Sequence, residues 1–321
     1  MAALPTYQQA FTRLAVNQRD GRASPHKICM LLSVLDLARA GGLPVNHIVF
    51  GPPLLERYRR FFDAVKQPGD HANPYSPFFH LAGKLRGGGA SFWHLVPLPG
   101  REGVLAAMST ARSVRDITDN IAWAELDPDL FALLQQPAAL DALGESMVSH
   151  WFGRGLQELG VIAAQSAASS RYEYSLRHDA APPKASEPPP AWVRDPAFRR
   201  VVTEAYDWRC AATGLRLLLK ETGESLVEAA HLIPFSESGD DDPCNGLALT
   251  PNMHWAMDKH LIAPGEDFKW HVSPLLDRRI SDNQPLLNLD GQALLKPTEL
   301  RFIPKKISLT WRMERLRRHI D

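Results

Sequence analysis

The segment EAAHLIPFSESGDDDPCNGLALTPNMHWAMDKHLI, from Glu228 to Ile262, sets the expected fold of the C-terminal part of this chain. It begins inside an apolar run at residues 225–233, which predicts a strand. A turn-like stretch, DDPCNG, comes next. Thr250 and Pro251 then provide a cap residue and a first-turn proline, the combination that begins many helices. The expected order is therefore strand, loop and short helix.

Four polar side chains follow one another along this segment: His231 on the strand, Asn245 in the loop, and His254 and Asp258 on the helix. His254 and Asp258 are four residues apart, so they share one helix face and can grip the same cation. Imidazole and carboxylate together suit Mg²⁺, Mn²⁺ or Zn²⁺. Because no two cysteines have the CxxC spacing of a closed zinc site, the pattern favours an open metal site, as hydrolysis requires.

Residues 206–262, which include YDWRCAATG and the segment above, resemble the HNH, or ββα-metal, nuclease family, and in particular the HNH modules of bacterial restriction-type endonucleases. The resemblance implies that His231 is the general base that deprotonates water, and that Asn245 holds the strand and orients this imidazole. It also implies that His254 and Asp258 bind a divalent metal, Mg²⁺ or Mn²⁺ with Zn²⁺ as an alternative, which stabilises the phosphate and the leaving 3′-oxygen. The expected activity is metal-dependent hydrolysis of DNA.

The segment departs from the family pattern at one position. Many members carry a metal-binding His or Asp directly before the base, where this chain has Ala230. Glu228 is two residues away on the same strand face, so its longer side chain is the candidate replacement ligand. His260 is six residues after His254 and turns away from the ligand face. The missing ligand leaves a second interpretation open, in which a degenerate HNH fold binds DNA without cutting it.

Length and composition predict two globular domains without a membrane segment. At 321 residues the chain exceeds what one hydrophobic core usually organises. Its 36 basic and 36 acidic residues balance, so any contact with DNA must come from local clusters. The three cysteines, Cys29, Cys210 and Cys244, are expected to be reduced, and Cys210 stands alone, which predicts no zinc ribbon. The N-terminal sequence lacks the features of a secretory signal, which predicts a cytoplasmic protein.

A proline-rich stretch, APPKASEPPP at 181–190, predicts a domain boundary because its prolines fix φ and remove backbone donors. The expected protein is α+β, with a helix-rich DNA-reading domain at 1–178, a linker at 179–194, and an HNH nuclease domain with a C-terminal helix at 195–321. Asp195 and Pro196 predict the first nuclease-domain helix, as N-cap and first helical residue. Hydrophobic spacing predicts a strand at 91–98 and helices at 27–40, 54–65, 122–134, 147–164 and 311–320.

Two stretches of the N-terminal domain, GRASPHK at 21–27 and HANPYSPFFH at 71–80, combine basic and apolar side chains. The first places cations next to a predicted helix N-terminus, where free backbone N–H groups also suit a phosphate. The second gathers aromatic residues and proline into a rigid apolar surface, and a flexible basic loop follows it. The candidate DNA-binding residues are Arg22, His26, Lys27, Tyr75, Pro77, Phe78, Lys84 and Arg86. The ordinary alternative is that PYSPFF packs into a core and SPHK merely starts a helix.

Residues 8–98 resemble, mainly through ASPHKICMLLSVLDL and NPYSPFFHL, the sulfur-binding domain of restriction endonucleases that act on phosphorothioate-modified DNA. The resemblance implies that the apolar residues receive the soft, weakly hydrated sulfur while the cations hold the phosphate oxygens. The expected protein is a modification-dependent, type IV-like restriction endonuclease of double-stranded DNA, and a homodimer would supply the two sites that a double-strand break needs. A nuclease that reads methylated bases or a sequence, and a non-catalytic reader of modified DNA, are the alternatives.

Overall fold

A computed structural model of the chain describes residues 3–19, 21–178 and 188–318, and its mixture of helices and small sheets confirms the predicted α+β class. The chain divides into two compact units: Met1–Tyr174 with Lys220–Glu224, and Ser175–Leu219 with Ser225–Asp321. Residues 179–187 of the predicted linker lie outside the described residues, so the linker stays a prediction. Within the described ranges, none of the helices combines the length and the apolar content needed to cross a bilayer.

The first unit is helix-rich and contains two small antiparallel sheets, β1–β2 and β3–β4. Its elements are α1 (Ala3–Thr12), β1 (Gln18–Arg19), β2 (Arg22–Ala23), α2 (His26–Arg39), α3 (Pro52–Val65), α4 (Tyr75–His80), β3 (Trp93–Pro97), α5 (Glu102–Ala107), α6 (Val114–Thr118), β4 (Ile121–Leu126), α7 (Pro128–Leu134), α8 (Pro137–Phe152) and α9 (Leu159–His178), the last of which ends in the second unit. The predicted helix at 27–40 is α2, which is buried from Ile28 to Leu37 as its almost unbroken apolar sequence requires.

Two predicted helices of this unit are wrong in extent. The sequence IAWAEL at 121–126 forms a strand because it pairs with β3, with Trp93 opposite Leu126, and only Pro128 begins a helix. The predicted helix at 147–164 is broken between α8 and α9. Gly155 there has φ +87°, a left-handed conformation that a glycine adopts without strain and that a helix cannot include.

The second unit carries the segment from Glu228 to Ile262. Its elements are α10 (Ala191–Ala205), β5 (Glu228–His231), α11 (Phe235–Ser238), β6 (Gly246–Leu249), α12 (Pro251–Asp258), β7 (Ile262–Pro264), β8 (Trp270–Val272), α13 (Gln284–Leu287) and α14 (Lys306–Arg315), with short 3₁₀ turns at Pro243–Asn245, Ser281–Asn283 and Leu300–Phe302. β5 and β6 form an antiparallel pair in which His231 lies opposite Gly246. The predicted strand, loop and helix are therefore present, with an additional strand, β6, between loop and helix.

Helix α10 begins five residues earlier than the sequence predicted. Its N-cap is Pro190, in an extended conformation, and Pro196 lies inside the helix rather than at its first position. The buried residues Val193, Ala197, Phe198, Val201 and Val202 form one stripe, which packs on the β5–β6 hairpin. The apolar stripe extends upstream of Asp195, and this burial outweighs the single backbone hydrogen bond that Pro196 cannot make.

The contact between α10 and the hairpin depends on Gly246. A Cβ at this position would lie 2.6 Å from Cγ2 of Val202 and 2.8 Å from Cζ of Phe198. The glycine is thus needed for close approach, although its φ of −127° is open to any residue. This approach places the Phe198 ring beside the side chain of His231.

Candidate active site

Three predicted ligands meet where the start of β5 lies against α12. Oε1 of Glu228 is 2.7 Å from Nδ1 of His254, and Oδ2 of Asp258 is 3.3 Å from Nε2 of the same ring. The helical spacing of four residues brings His254 and Asp258 together as predicted. Glu228 and Asp258 are about half exposed, at 46% and 51% of their side-chain surface. The set is therefore open to solvent on its carboxylate side.

The donor types of this set fit a divalent cation, since carboxylates and imidazole are ligands that Mg²⁺ and Mn²⁺ accept in proteins. Within residues 3–19, 21–178 and 188–318, no three His, Cys, Asp or Glu side chains are arranged as a ready metal centre. Both ring nitrogens of His254 are already engaged by carboxylates. A cation held by this set would replace one of these hydrogen bonds.

His231, at the end of β5, has a different set of neighbours. Its ring stacks on Phe198 with a centroid distance of 3.9 Å and an interplanar angle of 1°. Its Nε2 is 3.0 Å from Oδ1 of Asp241, a side chain that is 2% exposed. Arg194 donates to the other oxygen of this carboxylate at 3.0 Å and lies over the Phe235 ring. The imidazole is thus held by a stacked ring on one face and a buried carboxylate at one nitrogen.

The Asp241 carboxyl is held in its ionised form. Burial by itself would raise its pKa, but the hydrogen bonds from His231 and Arg194 and the positive charge of Arg194 outweigh burial and lower it. A permanently charged acceptor therefore faces His231 at neutral pH.

Asn245 contacts the backbone on both sides of the loop. Its side chain accepts from the N–H of Ile233 at 2.9 Å, and donates to the carbonyls of Ile233 and Asp240 at 2.9 and 3.1 Å. Its own carbonyl accepts from the N–H of Leu232 at 2.7 Å. Asn245 is fully buried, so these bonds fix the chain directly after His231 and the loop that carries Asp241.

Arg312 of α14 joins the two groups of side chains. This arginine is 2% exposed and donates to the carbonyls of His231 and Met257 at 2.7 and 3.2 Å, and to Oδ1 of Asp258 at 3.1 Å. It therefore links the end of β5 to the end of α12. The sequence predicted a closing helix at 311–320, and this basic residue of the helix points inward.

Comparison with known proteins places part of this region in a described family. The sequence profile of a family described as HNH endonuclease matches residues 210–263. Residues 210–263 form an HNH endonuclease domain. The domain contains all five residues predicted for catalysis and metal binding, and it supports a nuclease function. The remaining residues of the chain lie outside this match.

No curated protein is significantly similar to the chain. Among solved structures, the chain is similar to a protein described as "Modification dependent TagI restriction endonuclease", with a TM-score of 0.31, 19% sequence identity, and coverage of 39% of this chain and 39% of that chain. The match thus spans well under half of that protein. A likeness this weak carries no inference about the present chain.

In the first unit, some of the predicted DNA-binding residues line a common pocket of 450 Å³. Lys27 and His26 lie at its α2 side, and Pro77 and His80 at its α4 side. Burial lowers the pKa of Lys27, and no acceptor among the described residues pairs with its ammonium group. The pKa of His80 is also lowered, first by burial and then by the charge of Lys27. The pocket thus presents a partly desolvated cation for which the described part of the chain offers no counter-ion.

The other predicted residues do not line this pocket. Phe78 is fully buried and packs edge-on against Phe50 and Trp93 in the core. Arg22 is engaged by Asp70 at 3.1 Å and by backbone carbonyls. Tyr75 is partly buried against the core.

Lys84 and Arg86 are exposed on a loop next to the core. The loop is a closed turn, in which the N–H of Leu85 donates to Gly89 at 2.9 Å and the N–H of Arg86 donates to Arg13 at 2.8 Å. The expected flexible basic loop is therefore a hydrogen-bonded structure that displays two cations.

Sequence reasoning missed three side chains that contact the predicted residues. Asp241 is the middle of three consecutive aspartates. The sequence alone could not show which of the three contacts His231. Arg312 and Arg194 lie 54 residues after Asp258 and 47 residues before Asp241, too far for a local pattern. An unpaired buried carboxylate would be costly, so the Asp-rich loop did at least require cations nearby in the fold.

Proposed function

We propose that this chain is a metal-dependent DNA endonuclease whose HNH domain hydrolyses phosphodiester bonds and whose first unit binds a phosphorothioate-modified phosphate. One observation carries the nuclease part: an oriented histidine and an imidazole–carboxylate set lie within a single HNH domain, and Arg312 links them by contacting the His231 carbonyl and Asp258.

His231 is the proposed general base. It takes a proton from a water molecule, whose oxygen then forms the new bond to phosphorus while the bond to the 3′-oxygen breaks. Phe198 and Asp241 keep the imidazole in place, and Asn245 fixes the chain that follows it. These contacts limit the rotation that would otherwise carry the base away from the attacking water.

Glu228, His254 and Asp258 are the proposed ligands of Mg²⁺ or Mn²⁺, with Zn²⁺ as the alternative. A bound divalent cation supplies positive charge next to the phosphate oxygens and the leaving 3′-oxygen, where negative charge develops. Arg312 holds Asp258 by one oxygen and leaves its other oxygen facing His254.

The pocket around Lys27 is the proposed site of the modified phosphate. An ammonium without a counter-ion in a partly desolvated pocket attracts an anion. The Pro77 ring offers an apolar surface, and sulfur in place of a non-bridging oxygen keeps the charge while weakening hydration. We assign binding to the predicted residues His26, Lys27 and Pro77 and to His80, which the pocket adds to the predicted set, with Lys84 and Arg86 as exposed contacts to the DNA backbone.

The nuclease proposal is tested by incubating supercoiled plasmid with the full chain and Mg²⁺ or Mn²⁺, with and without EDTA. We expect nicking by the wild type that is lost with EDTA and in the variants His231→Ala and His254→Ala. Lys259→Ala, an exposed neighbour on the same helix end, is the matched control and should cut normally. Cleavage that survives His231→Ala would refute the assignment of the base.

The recognition proposal is tested by competing phosphorothioate and plain duplexes of one sequence in a binding assay. We expect preference for the sulfur-containing duplex, and a loss of this preference in Lys27→Met but not in Lys66→Met, an exposed lysine outside the pocket. Equal affinity of the wild type for both duplexes would remove the sulfur proposal. Preference for methylated duplex instead would favour a nuclease that reads bases.

The cleavage products test the proposed homodimer. One HNH site cuts one strand, so a dimer should convert supercoiled plasmid to linear DNA, whereas a monomer should accumulate nicked circles.

A non-catalytic reader of modified DNA is the second candidate, and Ala230 is the observation that favours it. The residue is fully buried, and its place in many HNH modules is taken by a ligand. Tight binding of modified duplex without cleavage under any divalent metal would support this candidate.

A further inference from the structure

We propose that Asp241 is a positioning residue that keeps the His231 proton on Nε2 and thereby makes Nδ1 the atom that accepts the proton of water. This inference rests on the proposed function of His231 as general base. It adds a residue that neither the domain match nor the sequence pattern assigns to the reaction.

The first step of the argument is the anchoring of Asp241. Its carboxylate is 2% exposed and uses one oxygen for Nε2 of His231 and the other for Arg194, both at 3.0 Å. Arg194 is itself held over the Phe235 ring, with 3.5 Å from its guanidinium carbon to the ring centroid. A carboxylate fixed at both oxygens cannot swing away from the imidazole, so the contact is part of the fold.

The second step is the tautomer. A neutral imidazole has one N–H and one nitrogen with a free lone pair. A carboxylate accepts but does not donate, so the nitrogen that faces it must carry the hydrogen. Asp241 faces Nε2, which leaves the lone pair on Nδ1.

The third step is the reaction. When Nδ1 takes the proton of water, the ring becomes an imidazolium that carries both N–H groups. Its Nε2–H stays in the hydrogen bond to Asp241, whose negative charge stabilises the new positive charge. The carboxylate gains no proton, and the hydroxide oxygen goes to phosphorus.

The other described elements packed around His231 contribute aromatic rings and a backbone contact. Phe198 of α10 and Phe235 of α11 contribute aromatic rings, and Arg312 of α14 contacts the backbone carbonyl rather than the ring. Arg194 acts on the imidazole through Asp241. Asp241 is thus the charged residue whose side chain contacts the ring in the described part of the chain.

The test uses the full chain with ¹⁵N-labelled histidine, and its first readout does not need activity. Long-range ¹H–¹⁵N NMR distinguishes the two neutral tautomers, and the His231 signals are assigned by their loss in His231→Ala. We expect the Nε2–H tautomer in the wild type, and loss of its dominance in Asp241→Asn, because an amide can also donate to Nε2. A wild-type Nδ1–H tautomer would overturn the inference.

The second readout is the pH dependence of plasmid nicking. We expect Asp241→Asn to lower kcat by about 100-fold, within the range that a general base supplies, and to move the acidic limb of the kcat–pH profile, with KM for DNA unchanged. Asp241→Glu should restore part of the rate. Asp242→Asn is the matched control, because this neighbour is also buried but its side chain accepts from Cys244 and pairs with Lys305.

The outcomes separate this inference from the proposed function. If the wild type cuts, His231→Ala does not, and Asp241→Asn keeps the wild-type rate and pH profile, then Asp241 has no positioning role although the nuclease assignment stands. If the wild type does not cut, the nuclease assignment fails, and the NMR result alone decides the tautomer.

Discussion

Replacing Arg312 with methionine removes the donors that connect β5 to α12 and keeps most of the apolar stem. The carbonyl of His231 loses its donor at 2.7 Å, whereas the carbonyl of Met257 loses one at 3.2 Å but still accepts from the N–H of His260 at 3.0 Å. A buried carbonyl left without a partner costs about 1–3 kcal/mol. Asp258 is half exposed, so losing its ion pair adds only about 0–1 kcal/mol. The sum is about 3 kcal/mol.

A cost of about 3 kcal/mol corresponds to roughly 100-fold faster amide exchange by local opening. Hydrogen exchange measured by mass spectrometry should show this acceleration in peptides covering residues 228–262. Peptides from the first unit should be unchanged. The plasmid-nicking rate should fall in the same variant because the ligand-bearing helix is no longer tied to the strand that carries the base.

Arg315→Met is the matched control for this prediction. Arg315 is on the same helix, but it is partly exposed and its pairing with Glu237, at 3.8 Å, is loose. We expect little change in exchange for this variant. Arg312→Lys keeps the charge but cannot reach three acceptors, so its exchange should be intermediate. Equal exchange in Arg312→Met and Arg315→Met would show that the arginine does not hold the site together.

Three other perturbations have defined outcomes. Gly246→Ala should destabilise the second unit by about 1–3 kcal/mol in urea unfolding, since its Cβ would be 2.6 Å from Cγ2 of Val202; an unchanged midpoint would argue against this close packing. Lys27, whose pKa is lowered by burial, should be acetylated faster at pH 8 than Lys66, and a short phosphorothioate duplex should protect it; equal rates without DNA would contradict the desolvated pocket. The lowered pKa of Asp241 means that its ionised form adds stability above the usual pKa of 3.8, and this contribution is lost as the pH falls through the lowered value. Asp241→Asn should therefore be less stable than the wild type at neutral pH, with a difference that shrinks in acid; a constant difference would refute the pairing.

The catalytic segment was predictable because its signals are local. The spacing of His254 and Asp258 fixes a shared helix face without any knowledge of the rest of the fold, and the pair does meet. Thr250 and Pro251 marked the start of α12 for the same reason. The helix predicted at 122–134 was wrong because pairing with β3, which is distant in sequence, decides that IAWAEL is a strand.

The proposed recognition site was harder to predict because exposure is a property of the whole unit. Phe78 and Pro77 are neighbours in one aromatic stretch and both are buried, yet Phe78 packs in the core while Pro77 also lines the pocket. Arg22 and Lys27 have the same charge. Arg22 is paired with Asp70, whereas Lys27 has no ionic partner among the described residues. The composition identified the stretch, but it could not show which of its residues line the pocket.

The replacement of the usual ligand by Ala230 can be understood from the same hairpin. Ala230 is fully buried and paired with Leu247, so a carboxylate there would lose its hydration inside an apolar layer. Glu228 is at the start of β5, where the strand reaches solvent, and it contacts His254 while remaining 46% exposed. Moving the carboxylate two residues upstream keeps it on the same strand face and avoids the desolvation cost. Helix α12 packs against the start of β5. The long side chain of Glu228 can therefore reach His254 from that position.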